Sequence, residues 1–201
     1  MTGKPTEQDD QETFNRTLIA LLEEQRLPYA IGGSMAAMIY SETRYTKDID
    51  VMFQADLDAL SALVTAVEAL QVYVDPFETV LEFNLPRQMP ISVVDGLNGT
   101  RADLYVARES GLDQSAMQRR QKRMMYDNPP LEAWYLAPEN VILYKLDYFK
   151  QSEGASQNHP IDISKMLAVM GDQLDLHYLE QWAKATGVLE LWLALWDEFK
   201  R

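Results

Sequence analysis

The sequence predicts an α+β protein, with a β-sheet flanked by helices over residues 1–136 and a C-terminal helical bundle over residues 137–201. Before residue 136, short strand-like runs of apolar residues are interspersed with segments long enough to be helices. From Pro138 onward the segments are helical throughout, because apolar residues recur at helical spacing. This change of pattern predicts a domain boundary near residue 136.

Residues 1–53 are expected to contain two helices and two strands. The polar residues 1–9 are expected to be disordered. A helix, a short buried strand, a buried helix and a second strand then follow at residues 10–25, 29–31, 35–41 and 48–53. Ser34 is expected to cap the second helix, since a serine side chain can accept a hydrogen bond from a backbone N–H at that position. The polar residues 41–47 connect this helix to the second strand.

Residues 54–136 are expected to complete the sheet and to add three helices. Asp56 can cap a helix over 57–70, and Asp75-Pro76 is typical of the start of a short helix that ends near residue 83. The turn residues Asp95–Gly99 predict a hairpin. Its strands, the helix that follows and a last strand are predicted at 91–94, 102–106, 113–125 and 132–136.

The composition limits the classes of function. A net charge of −13 argues against a protein that grips nucleic acid through its phosphates. The chain has no cysteine and two histidines, so any bound metal should be a hard ion held by carboxylates, Mg²⁺ or Mn²⁺. The N-terminus lacks the apolar core of a signal peptide, and no apolar run reaches the ~20 residues of a membrane span. These features predict a cytoplasmic protein.

Three aspartates are the candidate metal ligands and catalytic residues. Asp48 and Asp50 are two residues apart on a predicted strand, so both carboxylates point to one side, and a divalent cation would relieve their repulsion. The alternative is a solvated acidic strand edge. Asp103, an acid within an otherwise apolar strand, is the expected third ligand and a candidate base. Its alternative is a structural ion pair with Arg101 or Arg108.

The turn before the acids is a candidate phosphate site. Gly32 and Gly33 would let a phosphate approach the backbone closely, and N–H groups at the start of the next helix point outward toward it. Ser34 adds a hydroxyl donor. Taken alone, the turn is more typical of a strand-to-helix connection with a serine cap. The thirteen residues between Ser34 and Asp48 leave room for a short helix and a return to an adjacent strand.

These motifs resemble the signature of the nucleotidyltransferase superfamily, whose members share the DNA polymerase β-like fold. The matching segments are Ile31–Ser34, Asp48–Val51 and the later Asp103. Arg44–Asp50 looks closest to small bacterial members, the AbiEii-type toxin nucleotidyltransferases and related families of unknown function. Weaker similarity over Ala137–Leu146 and 160–163 extends the resemblance to roughly residues 28–171.

The resemblance implies a mixed β-sheet and a magnesium-dependent transfer of NMP from an NTP to an acceptor, with release of pyrophosphate. It also implies that Gly32, Gly33, Ser34 and Lys145 bind the nucleotide, although a lysine on a helix surface is the alternative for Lys145. Arg44 and Lys47 are further candidate phosphate contacts. The basic run Arg119–Arg123 is either a solvated helix face or a contact for an anionic substrate.

The acceptor is open, since a small molecule, a tRNA end and a protein hydroxyl each need only a cleft beside the metal. Nucleic acid is therefore expected only as a tRNA acceptor, and no membrane partner is expected. Two other functions are consistent with the sequence. One is a toxin–antitoxin or phage-defence component whose site is masked by an antitoxin-like protein. The other is a nucleotide-binding protein without transfer activity.

Overall fold

The computed structural model describes residues 6–41 and 46–200. By their internal contacts these residues form two compact units. The first contains 6–31 and 46–135, and the second contains 32–41 and 136–200. The predicted domain boundary is near residue 136. In the structure, residues 32–41 lie before that position in the chain but group with the C-terminal helices.

The first unit is built on a seven-stranded mixed sheet. Its strands are β1 (Tyr29–Ile31), β2 (Asp48–Phe53), β3 (Tyr73–Val74), β4 (Ile91–Val94), β5 (Arg101–Val106), β6 (Gln121–Asp127) and β7 (Pro130–Tyr135). The spatial order is β3-β4-β5-β2-β1-β7-β6. The pairs β2–β5 and β1–β7 are parallel and the other four are antiparallel. The prediction of a mixed sheet in an α+β protein is confirmed.

The helices divide between the two units. Those of the first unit are α1 (Glu7–Glu24), α3 (Leu57–Glu68), α4 (Phe77–Thr79), α5 (Leu85–Arg87) and α6 (Gly111–Arg119), with a π-helical stretch, Val80–Asn84, between α4 and α5. Those of the second unit are α2 (Gly33–Tyr40), α7 (Pro138–Gln151), α8 (Asn158–Met170), α9 (Leu176–Thr186) and α10 (Leu189–Phe199). The prediction that the segments from Pro138 onward are helical is confirmed by α7, α8, α9 and α10. No helix within 6–41 and 46–200 is long and apolar enough to cross a membrane.

The central strands bury one face of the sheet. Ile49, Val51 and Phe53 of β2 are fully buried, whereas the residues between them are exposed or half-buried. β5 repeats this alternation. Tyr29, which is opposite Phe53, donates a hydrogen bond from its hydroxyl to Glu23 of α1, so α1 lies on the buried face. Polar side chains that alternate with this core therefore project from the other face of the sheet.

Around α7, the second unit forms a helical core. α2 packs on α7 and α8, and α10 packs on α8 and α9. The α7 side chains Val141, Ile142, Leu143 and Leu146 are buried almost completely. Tyr40, at the end of α2, donates a buried hydrogen bond of 2.8 Å to the carbonyl oxygen of Leu136. These contacts explain why 32–41 belongs to the second unit: α2 buries its apolar residues among the C-terminal helices.

Four local predictions are corrected. Residues 7–9 were expected to be disordered, but they form the first turn of α1, which Thr6 caps through its side chain. The predicted helix over 113–125 ends at Arg119, and its last residues form the edge strand β6 on β7, where strand pairing satisfies their backbone groups. Ser34 does not cap α2, because the helix begins two residues earlier than predicted, with Gly32 at the cap position. The two-residue strand β3 was not predicted, since Tyr73–Val74 is too short to show an alternation.

Candidate active site

Asp50 and Asp103 are neighbours on the face of the sheet opposite the buried residues Ile49, Val51 and Phe53, which we call the open face. They are Cα partners on the parallel strands β2 and β5, so their backbones are about 4.8 Å apart. Asp48 projects from the same face two residues before Asp50 and is opposite Arg101. Asp48 is exposed, and Asp50 and Asp103 are half-buried. Parallel pairing of β2 and β5 is therefore what brings together acids that are fifty residues apart in sequence.

Asp103 is held on one oxygen by two neighbours. Its Oδ1 accepts hydrogen bonds from Ser92 Oγ at 3.0 Å, from Arg101 Nε at 3.0 Å and from Arg101 Nη2 at 2.8 Å. Hydrogen bonding to Asp103 raises the pKa of Arg101 above its usual value. The ion pair anticipated between Asp103 and Arg101 is thus present, whereas Arg108 pairs with Asp113.

The carboxylates Asp48, Asp50 and Asp103 are suitable ligands for a hard divalent cation, but by themselves they do not form a complete metal site. Within the described ranges, no three Asp, Glu, His or Cys side chains gather closely enough to hold a metal ion. What the fold does place side by side is the carboxylate pair Asp50 and Asp103. Magnesium is commonly bound through one or two carboxylates, with phosphate oxygens and water completing the coordination. The two carboxylates therefore have the chemistry of Mg²⁺ ligands, with phosphate oxygens or water needed for the remaining coordination positions.

The glycine turn between β1 and α2 depends on the backbone conformation of Gly33. Gly33 has φ +57°, a left-handed conformation that glycine adopts without strain. Gly32 has no such requirement, but a Cβ there would lie 3.1 Å from Leu136 Cδ1. Ile31, the residue before the turn, is opposite Val51, so β1 ends at the end of the sheet where β2 begins with Asp48.

Ser34 and Lys145 meet in the second unit around Asp162. Lys145 Nζ is 2.8 Å from Asp162 Oδ2 and 3.4 Å from Ser34 Oγ. Ser34 Oγ is also 3.3 Å from Asp162 Oδ2. Lys145 is therefore not the exposed helix-surface lysine of the alternative interpretation, since its side chain is 4% exposed. The predicted roles of Ser34 and Lys145 in nucleotide binding stay predictions.

The other predicted phosphate contacts lie elsewhere. Lys47 forms an exposed ion pair of 2.8 Å with Glu7 of α1. Arg44 lies outside the described residues. The basic run is divided between the end of α6 and strand β6, so it is not one helix face. Within this run, the Arg120 guanidinium lies over the Trp134 ring, with Cζ 4.9 Å from the ring centroid.

Sequence reasoning did not identify Ser92 and Asp162 as part of these clusters. Ser92 is opposite Asp103 on the antiparallel strand β4, and this register is invisible before the hairpin is paired. Asp162 is at the second turn of α8, within the segment 160–163 that has the weaker similarity. Its proximity to Lys145 follows from the packing of α7 on α8.

The sequence matches no protein-family profile and no curated protein. Solved structures do match. ANT(2″)-Ia, an antibiotic-resistance factor, matches in a solution structure and in a crystal structure with adenylyl-2″-tobramycin, both at 19% identity, with TM-scores of 0.58 and 0.59. The matches cover 90% and 88% of this chain and 95% and 97% of the other chains.

Two further structures have the same architecture. A nucleotidyltransferase-like antigenic protein of Paracoccidioides brasiliensis matches at 16% identity and TM-score 0.54, covering 90% of this chain and 93% of that one. The lincosamide adenylyltransferase LnuA, with lincomycin bound, matches at 12% identity and TM-score 0.52, covering 80% and 97%. At these identities the likeness shows the fold: this chain has the fold of nucleotidyltransferases. The resemblance to AbiEii-type toxins stays a prediction.

Proposed function

We propose that this protein is a magnesium-dependent nucleotidyltransferase that moves NMP from an NTP to an acceptor hydroxyl and releases pyrophosphate. The observation that carries the proposal is the direct pairing of Asp50 with Asp103 on the open face of the sheet. Two half-buried carboxylates at neighbouring strand positions repel each other, and a divalent cation bound by both would relieve this repulsion further than the ion pair of Asp103 with Arg101 does. The fold shared with nucleotidyltransferases makes a nucleotide-bound metal the cation of choice.

In the proposed reaction, an oxygen of the acceptor hydroxyl attacks the α-phosphorus of the NTP. The bond between that phosphorus and the oxygen bridging to the β-phosphate breaks, and the electron pair leaves with pyrophosphate. The hydroxyl proton passes to a carboxylate, for which Asp103 is the candidate base because its Oδ2 is not engaged by any other described residue. The products are an acceptor–NMP ester, pyrophosphate and one proton.

Asp48, Asp50 and Asp103 would hold Mg²⁺ together with the triphosphate. When bound, the metal would neutralise phosphate charge and lower the pKa of the attacking hydroxyl. Asp50 and Asp103 are best placed for this, since they are adjacent in register. Asp48 is the most exposed of the three and would join the site with the nucleotide.

Phosphate binding is assigned to the turn. Backbone N–H groups at the start of α2 favour an anion, and no described side chain caps this helix. The positive φ of Gly33 shapes the turn, and the Ser34 hydroxyl lies next to the ammonium of Lys145. We propose that Gly32, Gly33 and Ser34 contact the triphosphate and that Lys145 acts in support of Ser34.

A small-molecule hydroxyl is the acceptor we propose to test first. The structures similar to this chain include one with adenylyl-2″-tobramycin and one with lincomycin. The net charge of −13 favours a cationic acceptor over an anionic one such as tRNA. An aminoglycoside and a lincosamide are therefore the first two compounds to assay.

The test is a transfer assay with each of the four α-³²P-labelled NTPs, Mg²⁺, and tobramycin, lincomycin or a cell extract. We expect label to appear on an acceptor with Mg²⁺ and not with EDTA. Asp50→Asn and Asp103→Asn should each reduce transfer at least about 100-fold. Asp58→Asn, at an exposed acid in the first turn of α3, is the matched control and should match wild type. Absence of label with all four NTPs, or equal activity of Asp50→Asn and wild type, would overturn the proposal.

A further inference from the structure

The Asp103 carboxylate is bound asymmetrically. All three of its hydrogen bonds, one from Ser92 and two from Arg101, end on Oδ1. Among the described residues none ends on Oδ2. The side chain is 14% exposed, so the carboxylate has little room in which to rotate. One oxygen is therefore fixed and the other is left for a ligand.

The two donors come from different strands and also contact each other. Ser92 on β4 is the Cα partner of Asp103, and Arg101 is two residues before Asp103 on β5. All three side chains project from the open face. Arg101 Nη2 also lies 3.4 Å from Ser92 Oγ, so Ser92, Arg101 and Asp103 form a triangle of contacts. A triangle of this kind restrains the carboxylate more than either donor would alone.

Ser92 is itself held from the far side. Its backbone N–H donates to Asp75 Oδ2 at 3.4 Å. Asp75 also accepts a hydrogen bond from Asn84 Nδ2 at 3.1 Å and one from the Tyr73 hydroxyl at 3.1 Å. The polar chain thus extends along the open face from β3 to Asp103, next to Asp50.

We propose that Ser92 and Arg101 are positioning residues that tether Asp103 through Oδ1 and present Oδ2 to the metal ion and to the proton of the acceptor hydroxyl. This inference rests on the proposed function and adds to it two residues that the acidic signature does not contain. Groups that orient a metal-ligating carboxylate typically change metal affinity or activity 10–100-fold when they are removed.

The tether also explains why position 101 is an arginine. Two guanidinium nitrogens reach Oδ1 while one of them reaches Ser92 Oγ, a geometry that needs a planar fork. A lysine would keep the positive charge and lose the second hydrogen bond. Arg101→Lys therefore separates orientation from charge, and Ser92→Ala removes one tether without any change of charge.

The experiment measures Mn²⁺ binding by the loss of the free-ion EPR signal, with a non-hydrolysable NTP analogue present. Ser92→Ala and Arg101→Lys should each weaken Mn²⁺ binding about 10-fold. In the transfer assay each should lower kcat by a similar factor and leave the KM for NTP within about twofold. Arg108→Lys, in a second Arg–Asp pair of this unit, is the matched control and should behave as wild type.

Three outcomes would overturn the tether, and a fourth would overturn only the proposed function. If Arg101→Lys matches wild type and Arg101→Met binds Mn²⁺ more tightly, Arg101 only neutralises charge. If Asp103→Asn binds Mn²⁺ as wild type does, Asp103 is not a ligand. If transfer depends on Asp103 but not on Ser92 and Arg101, the tether fails and the proposed function stands. If Mn²⁺ binding responds as expected but no acceptor is labelled, the tether stands and the proposed function fails.

Discussion

Lys145 and Asp162 form an ion pair of 2.8 Å with side chains only 4% and 1% exposed. Charges are removed from water only at a large energetic cost, so such a pair needs close geometry and further polar contacts. Ser34 provides these contacts, because its hydroxyl is within 3.4 Å of both charged groups. The glycine turn is thereby connected through Ser34 to the core of the second unit.

Removal of one partner of this pair should destabilise the protein strongly. Lys145→Met leaves an uncompensated buried carboxylate, and Asp162→Leu leaves a buried ammonium, so each should cost about 3–5 kcal/mol in the free energy of unfolding. The double variant should cost less than the sum, which urea denaturation can measure. Lys122→Met breaks an exposed pair with Glu132 at 3.7 Å and should cost less than about 1 kcal/mol. Additive effects of the two buried changes would contradict the finding.

The candidate acids could be predicted from sequence because strand geometry is local. The spacing of Asp48 and Asp50 places both on one face wherever β2 lies. The lone acid among apolar residues in β5 identified Asp103 in the same way. Which strands become neighbours is decided by long-range pairing, so the spacing of the acids along the chain does not determine that β2 pairs with β5.

The contacts that sequence reasoning missed depend on register and helix packing. Ser92 reaches Asp103 only because β4 and β5 pair with these two residues opposite. Residues 121–127 have enough charge to resemble a helix surface, yet as a sheet edge strand the same charges are tolerated and discourage further pairing. Local propensity cannot distinguish these two environments, since tertiary context overrides it.

Gly33→Ala should destabilise the protein more than an alanine at an ordinary glycine. The φ of +57° places any side chain in the left-handed region, at a cost of about 1–2 kcal/mol. Gly96→Ala is the matched control, because Gly96 has no positive φ and a Cβ there would meet nothing within 4 Å. Urea denaturation of both variants measures the difference. An equal stability of the two would show that the turn is not strained by a side chain.

Gly33→Ala should also weaken nucleotide binding, if the turn holds the triphosphate as proposed. A shift of the turn backbone moves the N–H groups that would face the phosphates. We expect the KM for NTP to rise about 10-fold at a temperature where the variant is fully folded. Gly96→Ala should leave this KM unchanged.

The buried Tyr29 phenol should make stability fall at high pH. Burial and the hydrogen bond to Glu23 raise its pKa well above the usual 10.0. Above pH 10 the unfolded chain releases the phenol proton while the folded protein retains it, so the unfolded state binds fewer protons and the free energy of unfolding decreases. Denaturation curves from pH 8 to pH 11 should show this decrease, and Tyr29→Phe should reduce it. An unchanged slope in Tyr29→Phe would contradict the assignment.

Nucleotide with Mg²⁺ should stabilise the wild-type fold, and removal of the metal should abolish most of that gain. A ligand that binds only the folded state at 100 times its Kd adds about 2.7 kcal/mol to the free energy of unfolding. We expect Tm to rise with a non-hydrolysable NTP analogue and Mg²⁺, and to return toward the ligand-free value when EDTA is added. Asp50→Asn should lose the magnesium-dependent part, because its neighbour Asp103 would be left as the only carboxylate of the adjacent pair. Asp58→Asn should keep it, since that residue lies on helix α3. A magnesium-dependent shift of equal size in Asp50→Asn would place the metal elsewhere in the protein.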